Sequence, residues 1–262
     1  MSLKQRMKER PVFGFAIFTG ALSVIESVGN WGYDFVYLDV EHTSIGVGPD
    51  LEKQIMAARL ANIAAVVRLT RDDEVEIRKV LEMGAEGVVI PHVRTREQAE
   101  EIVRAAKFPP FGRRGAESNV RAAAFGGPGF SWPEYIARSN AESLIIPMAE
   151  DYEFADNVDE ILSVEGIDAI NFGPIDYSLS SNLPIGYKID HPSLIDAYRK
   201  IESRARAKGI GIMCPVVPAT QENARDMIAK GVNMLILGND MYHLQSAFKG
   251  ILAECVEPIR GK

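Results

Sequence analysis

Two acidic residues near the middle of the chain follow apolar runs: Glu150 closes LIIPMAE (144–150), and Asp176 follows AINFGPI (169–175). The helix-like DYEFADNVDEILS (151–163) and a short GID turn lie between them. Strand, acid, helix, strand, acid is a βαβ unit, and its parallel strands point the same way, so both carboxylates reach one mouth of a sheet. Two carboxylates with no His or Cys partner form a hard oxygen site, suited to Mg²⁺ or Mn²⁺, with waters and substrate oxygens completing the shell. Zinc would want more nitrogen or sulfur. A cation held there can chelate a 2-oxo acid and stabilise its enolate.

His42, after FVYLDVE, and Arg68, ending AAVVR, also fall at strand ends, and the interval between them equals that from Glu150 to Asp176. A histidine titrates near neutrality and can move a proton directly or through a water. An arginine is a fixed positive charge for a developing oxyanion. Each residue also has an ordinary reading. Glu150 or Asp176 alone is a loop acid or a helix N-cap, and Asp176 after Gly173-Pro174 suits a cap. His42 alone is a core histidine, and Arg68 alone a partner for Glu41. Four such residues at one face of one sheet favour a site. The rival aldol chemistry uses a lysine imine. Lys53, Lys79, Lys200, Lys208, Lys230 and Lys249 all fall on helical patterns, which favours metal over imine.

The elements that must hold these residues are runs of β-branched and aromatic character: 12–19, 34–42, 64–70, 86–93, 144–150, 169–173, 211–217 and 233–239. Helical patterns lie between them at 50–61, 73–84, 95–107, 193–209 and 219–231, several closing on Gly. Nearly continuous apolar strands are buried on both faces, as in a parallel sheet covered by helices. The alternation predicts an α/β fold, a (β/α)8 TIM barrel, for which 262 residues is an ordinary length. Neither G-x-G-x-x-G after the first strand nor G-x-x-x-x-G-K-[ST] occurs. The expected organisation is one domain over 1–262, with an active-site insert at 108–142 leaving the catalytic face after strand four, and a C-terminal helix at 241–257.

A net charge of −7 argues against nucleic acid or an anionic membrane as partner. No 18-residue apolar run occurs, and the basic-then-apolar start reads as mature protein because Gly20 and Glu26 break the run. Two cysteines, Cys214 and Cys255, fit a reducing cytoplasm. MYHLQSAFKGILAECV (241–256) has apolar residues on more than one face, more than a helix covering its own barrel needs.

YDFVYLDVEHTS, AAVVRLT, VLEMGAEGVVIPHV, KFPPFGRRG and FGPIDYS, in this order and spacing from about Phe13 to Gly238, resemble the HpcH/HpaI aldolases. These are metal-dependent pyruvate aldolases of the 4-hydroxy-2-oxoheptanedioate type. The resemblance implies a barrel of the phosphoenolpyruvate/pyruvate type that cleaves 4-hydroxy-2-oxo acids to pyruvate, or a relative, and an aldehyde. It implies a divalent metal (Mg²⁺, Mn²⁺ or Co²⁺) on Glu150 and Asp176, a catalytic His42 and Arg68, and a substrate-carboxylate cradle at Gly173 and Ile175. It also implies that Glu82 orients the histidine, although Asp is the usual residue there, and that the protein is a homo-oligomer, a hexamer, with C-terminal helix exchange. Two positions depart from the family's habit. Met148 stands where Gln is common, which favours tolerance of larger apolar 2-oxo acids. His92 stands where an apolar residue is common, either in the site or at its rim. The alternatives are a malyl- or citramalyl-CoA-type lyase, with Arg113 and Arg114 for the coenzyme phosphates, and a barrel that binds a 2-oxo acid without turnover.

Overall fold

The computed structural model describes residues 1–261, in which eight parallel strands close into a barrel in sequence order. The strands are β1 (Val12–Ile17), β2 (Phe35–Asp39), β3 (Ala64–Arg68), β4 (Gly87–Ile90), β5 (Leu144–Ala149), β6 (Ala169–Phe172), β7 (Gly211–Pro215) and β8 (Met234–Asn239). The first helices are α1 (Leu3–Glu9), α2 (Leu22–Asn30), α3 (Pro49–Leu60), α4 (Glu74–Met83), α5 (Arg96–Ala106) and α6 (Trp132–Glu142). After β5 come α7 (Tyr152–Asp156) and α8 (Val158–Ile161), and after β6 come α9 (Pro174–Ser180) and α10 (Pro192–Ala207). The chain ends in α11 (Gln221–Ala229), α12 (Asp240–Ile251), a π-helical turn over Leu252–Val256 and α13 (Glu257–Arg260). The single helix expected over 151–163 is thus two short ones. The (β/α)8 barrel expected from the sequence is the fold.

Each strand buries both faces, but against different neighbours. Val36, Leu38, Val67, Val88, Ile145 and Ile170 pack outward against the helices. Phe35, Tyr37, Val66, Val89, Ile146 and Met148 pack inward and fill the barrel. The period of two along a strand therefore decides which residues reach the interior. Helix α1 closes the end where the strands begin: Leu3 and Met7 join the interior cluster, and the Leu3 N–H donates to Glu86 Oε2 at 2.8 Å. Asp34 takes Arg6 at 3.0 Å and Arg10 at 2.6 Å at the same end. Helix α4 starts on Asp73, whose carboxylate accepts the N–H groups of Val75 and Glu76, and stops at Gly84 with φ of 98°.

The segment 108–142 packs away from the mouth of its own barrel. It leaves after α5, not directly after β4, and none of its residues lines the mouth of the barrel. A βα helix runs back from the strand ends, so its C-terminus lies at the opposite end of the barrel. The segment packs outside, through a small core of Phe108, Ala123 and Tyr135. Arg114 stacks there on Phe108 at 4.7 Å, and buried Lys107 donates to the Asn140 and Ser143 carbonyls at 2.8 and 2.9 Å. Helix α12 is different again: Phe248 (61%), Ile251 (57%) and, beyond it, Ile259 (87%) are exposed. No helix among the described residues is long and apolar enough to cross a membrane.

Candidate active site

Inward alternation brings the functional groups together. Phe35 and Tyr37 point into the barrel, and so does Asp39; Ala64 and Val66 lead to Arg68, and Ile146 and Met148 to Glu150. Asp39, Arg68 and Glu150 sit at or just past C-terminal strand ends, where barrel chemistry gathers. The mouth holds a cavity of about 420 Å³, lined by Tyr37, His42, Arg68, Met148, Asn171 and Asp176. Gly173 and Ile175 border it as well. A larger hollow of about 750 Å³ lies at the other end beside Arg6, Arg59 and Glu86, away from the strand ends that carry the polar residues.

Asp39 and Arg68 are register partners on β2 and β3. Arg68 Nε donates to Asp39 Oδ2 at 2.8 Å, Nη2 binds the same carboxylate, and Nη1 lies 3.0 Å from Glu41 Oε2. Burial opposes the guanidinium charge, but Tyr37, Asp39 and Glu41 around it hold its pKa above the ordinary arginine range. The Arg68 side chain is 9% exposed, so this cation is fixed. Asp39 Oδ1 accepts the His42 N–H at 2.7 Å, which sets the turn that carries the histidine. The His42 ring is open to the cavity, its Nε2 3.5 Å from Glu41 Oε2.

Glu150 is 1% exposed. Burial, with Asp176 and Glu41 adding to it, pushes its carboxyl up to about 7 against the pull of the His92 N–H and ring. That N–H donates to Glu150 Oε1 at 2.8 Å, from a backbone held at φ of 54°. A methyl group at Gly173 would meet Glu150 Cβ at 3.0 Å and Oε2 at 3.2 Å, so a side chain there would press on the Glu150 carboxylate. Asp176 follows in the first turn of α9. It is not the cap: Gly173 is, without a side-chain bond. Two carboxylates and Glu41 crowd negative charge here, with His92 as the ion-pair partner of Glu150 among the described residues. No group of three or more His, Cys, Asp or Glu side chains converges there, among the described residues, as a complete metal cage. Two hard oxygens fit a Mg²⁺- or Mn²⁺-type ion that keeps water and substrate ligands.

The half-exposed His92 ring lies beside Glu150, Asp151 and Glu41. Its Nδ1 is 3.0 Å from Asp151 Oδ2, its Nε2 3.8 Å from Glu41 Oε1, and Arg94 Nε is 3.0 Å from the same Asp151 oxygen. Burial opposes its charge, but Asp151, Glu150 and Glu41 hold the ring's pKa above the ordinary histidine value.

Glu82 lies near the end of α4, at the end of the barrel where β4 begins, and the charges facing it are Arg114 and Arg78. Within this chain it is Asp39 that meets His42, its carboxylate accepting the His42 backbone N–H. The arginines suggested for a coenzyme are also occupied elsewhere: Arg113 pairs with Glu74 and Glu101, and Arg114 is buried beside Tyr135. Asp39, Asp151, Asn171 and Tyr37 are site residues that the sequence reading omits.

The HpcH/HpaI aldolase/citrate lyase family model matches residues 19–247. The chain is 34% identical over 224 residues to the 5-keto-4-deoxy-D-glucarate aldolase of Shigella dysenteriae serotype 1 (strain Sd197), covering 85% of this chain and 83% of that protein. It is 31% identical over 245 residues to the 4-hydroxy-2-oxovalerate aldolase of Novosphingobium aromaticivorans, covering 92% and 89%. The solved HpcH/HpaI aldolase from Desulfitobacterium hafniense DCB-2 superposes with a TM-score of 0.88 at 27% identity, covering 97% and 96%. Citrate synthase SbnG superposes at 0.84 with 30% identity, covering 96% of each chain. These likenesses support an aldolase or lyase acting on 2-oxo acids.

Proposed function

The chain belongs to the HpcH/HpaI aldolase/citrate lyase family, and we propose that it carries out metal-dependent aldol cleavage and condensation of 4-hydroxy-2-oxo acids, giving pyruvate or a related 2-oxo acid and an aldehyde. The observation that carries this reading is the buried Glu150 carboxylate beside Gly173, with Asp176 on the mouth cavity that Arg68 and His42 also line. Glu150 and Asp176 would hold a divalent cation, Mg²⁺ or Mn²⁺, with Co²⁺ as a further candidate. When bound, that ion supplies Lewis-acid polarisation of the keto oxygen.

The remaining roles belong to the chain. In cleavage a base removes the proton of the 4-hydroxyl, the C3–C4 bond breaks, and its electrons pass into the enolate of the 2-oxo acid while C4 leaves as the aldehyde. His42, exposed to the cavity, takes that proton directly or through a water. Arg68, locked by Asp39 and Glu41, faces the enolate oxygen with a charge that does not move during reaction. Protonation at C3 then completes pyruvate. Gly173 and Ile175 border the substrate carboxylate, and Met148, 3% exposed beside Gly173, forms an apolar wall. No lysine lines the cavity among the described residues, which favours this route over an imine.

The exposed apolar side chains of α12 and beyond support a homo-oligomer, expected to be a hexamer. The free thiols of Cys214 and Cys255 agree with a cytoplasmic setting. The test of function is a panel of 4-hydroxy-2-oxo acids assayed for pyruvate release with Mg²⁺, Mn²⁺ and Co²⁺. Metal-dependent release from at least one supports the reading. Borohydride trapping of a pyruvate adduct on the protein would replace it with the imine route.

A further inference from the structure

The stretch 181–191, between α9 and α10, forms no helix or strand, yet it returns to the mouth of the barrel. Every other residue that lines the mouth cavity lies on a strand or within four residues after one. Tyr187 lines it from fifteen residues past Phe172, the end of β6. The chain has therefore run out along α9 and come back across the opening. Leu183 fastens one end of this return: its N–H donates to the Ser178 carbonyl at 2.7 Å, and its side chain packs on the core. Ile189, 5% exposed, is buried in the same core at the other end. Between them, residues 184–188 make no backbone hydrogen bond to the rest of the described residues. Ile185 is 62% exposed and Tyr187 47%. A hollow of about 480 Å³ separates this middle stretch from Leu194 of α10, so it is not packed down on the helix behind it.

Two fixed ends and an unbonded middle make a strap. Moving it breaks no backbone hydrogen bond and uncovers no buried side chain, so it shifts at little cost to the barrel. A half-exposed aromatic ring at the edge of a cavity gains by being covered, and a molecule bound in the cavity supplies the surface that covers it. Resting on the aldolase reading above, we propose that residues 184–188 are a lid and that Tyr187 is the positioning residue that closes it over a bound 2-oxo acid. In the closed form the ring stands between the reacting carbons and bulk water, which strengthens the hold of Arg68 on the enolate.

The test is trypsin cleavage after Lys188, an exposed residue of the strap, located by fragment mass. It is followed in the protein alone, with Mn²⁺, and with Mn²⁺ plus pyruvate at ten times the Kd measured by calorimetry. About nine-tenths of the molecules then carry pyruvate, so cleavage at Lys188 should slow by about tenfold, and Mn²⁺ alone should leave it unchanged. Tyr187→Ala should still bind pyruvate but lose most of this protection, and Tyr187→Phe should keep it. Measured pyruvate binding with no slowing at Lys188 overturns the lid and leaves the aldolase reading standing. That wild-type comparison decides by itself should Tyr187→Ala not fold. Equal protection in a folded Tyr187→Ala protein overturns the proposal too, as does a Lys188 that trypsin does not cut in the protein alone. No pyruvate binding with Mn²⁺, together with no pyruvate release from any 4-hydroxy-2-oxo acid, removes the aldolase reading and this inference with it.

Discussion

Asp39 binds Arg68 and His42 at once: one carboxylate oxygen takes the guanidinium, and the other accepts the His42 N–H at 2.7 Å. The Arg68 guanidinium and the His42 backbone thus share one buried anchor, whose side chain is 0% exposed. Asp39→Asn keeps the shape and removes the charge. It should lower kcat by about a hundredfold, as loss of a preorganised electrostatic contact does. It should also destabilise the fold, since the buried arginine then keeps Glu41 but loses the closer of its two carboxylates. Steady-state kinetics and thermal denaturation check both. A variant with full kcat would show that Arg68 needs no such anchor.

The raised carboxyl of Glu150 makes a prediction about pH. Its folded-state pKa, about 7, lies above that of an unfolded glutamate, so the folded state favours the protonated form. The corresponding stability is complete at acid pH and is lost as pH rises through 7. His92, whose pKa is also raised, loses its proton in the same direction. Metal-stripped protein should therefore melt at a lower temperature at pH 8 than at pH 5.5, and Glu150→Gln should shrink that difference. Cation binding requires the ionised carboxylate, so Mn²⁺ affinity should rise over the same interval. A pH-independent Mn²⁺ affinity would contradict the assignment of Glu150.

His42 can be separated from metal binding. His42→Ala should slow solvent deuterium exchange into pyruvate by about a hundredfold or more while Mn²⁺ affinity stays near that of the wild type. Proton NMR of pyruvate in D₂O follows the exchange. Unchanged exchange would move the base to another group, with His92 next in line by position.

The assembly is read from α12. If the exposed apolar side chains of α12 are covered by a second copy, light scattering at micromolar concentration should give a multiple of the 28.8 kDa chain mass. Phe248→Asp with Ile251→Asp should lower that mass. A monomeric wild type would refute the expectation.

The parts of the site that sequence makes legible are those where an apolar strand ends in a charge: Arg68, Glu150 and, one turn further, Asp176. Asp39 is harder, because DFVYLDVEH reads as one continuous strand in which an aspartate looks incidental. The inward alternation of Phe35 and Tyr37 is the signal that picks it out. Asn171 carries the same signal as a lone amide in an apolar strand. His92 depends on a left-handed turn at φ of 54°, which no local pattern announces for a histidine. Glu82 is marked by motif similarity, and within this chain the end of its βα helix lies at the opposite end of the barrel from the strand mouth. The same rule applied to the helix at 96–106 places the 108–142 segment away from the cavity.

The most direct test of the central claim, that Glu150 and Asp176 hold a cation needed for aldol cleavage, is pyruvate release by EDTA-stripped protein before and after Mn²⁺ is restored, in wild type and Asp176→Ala. The account predicts activity lost on stripping and regained with Mn²⁺ in the wild type, and no recovery at the same Mn²⁺ concentration in a folded Asp176→Ala protein. Full pyruvate release by the stripped wild type, or equal recovery in Asp176→Ala, would contradict it.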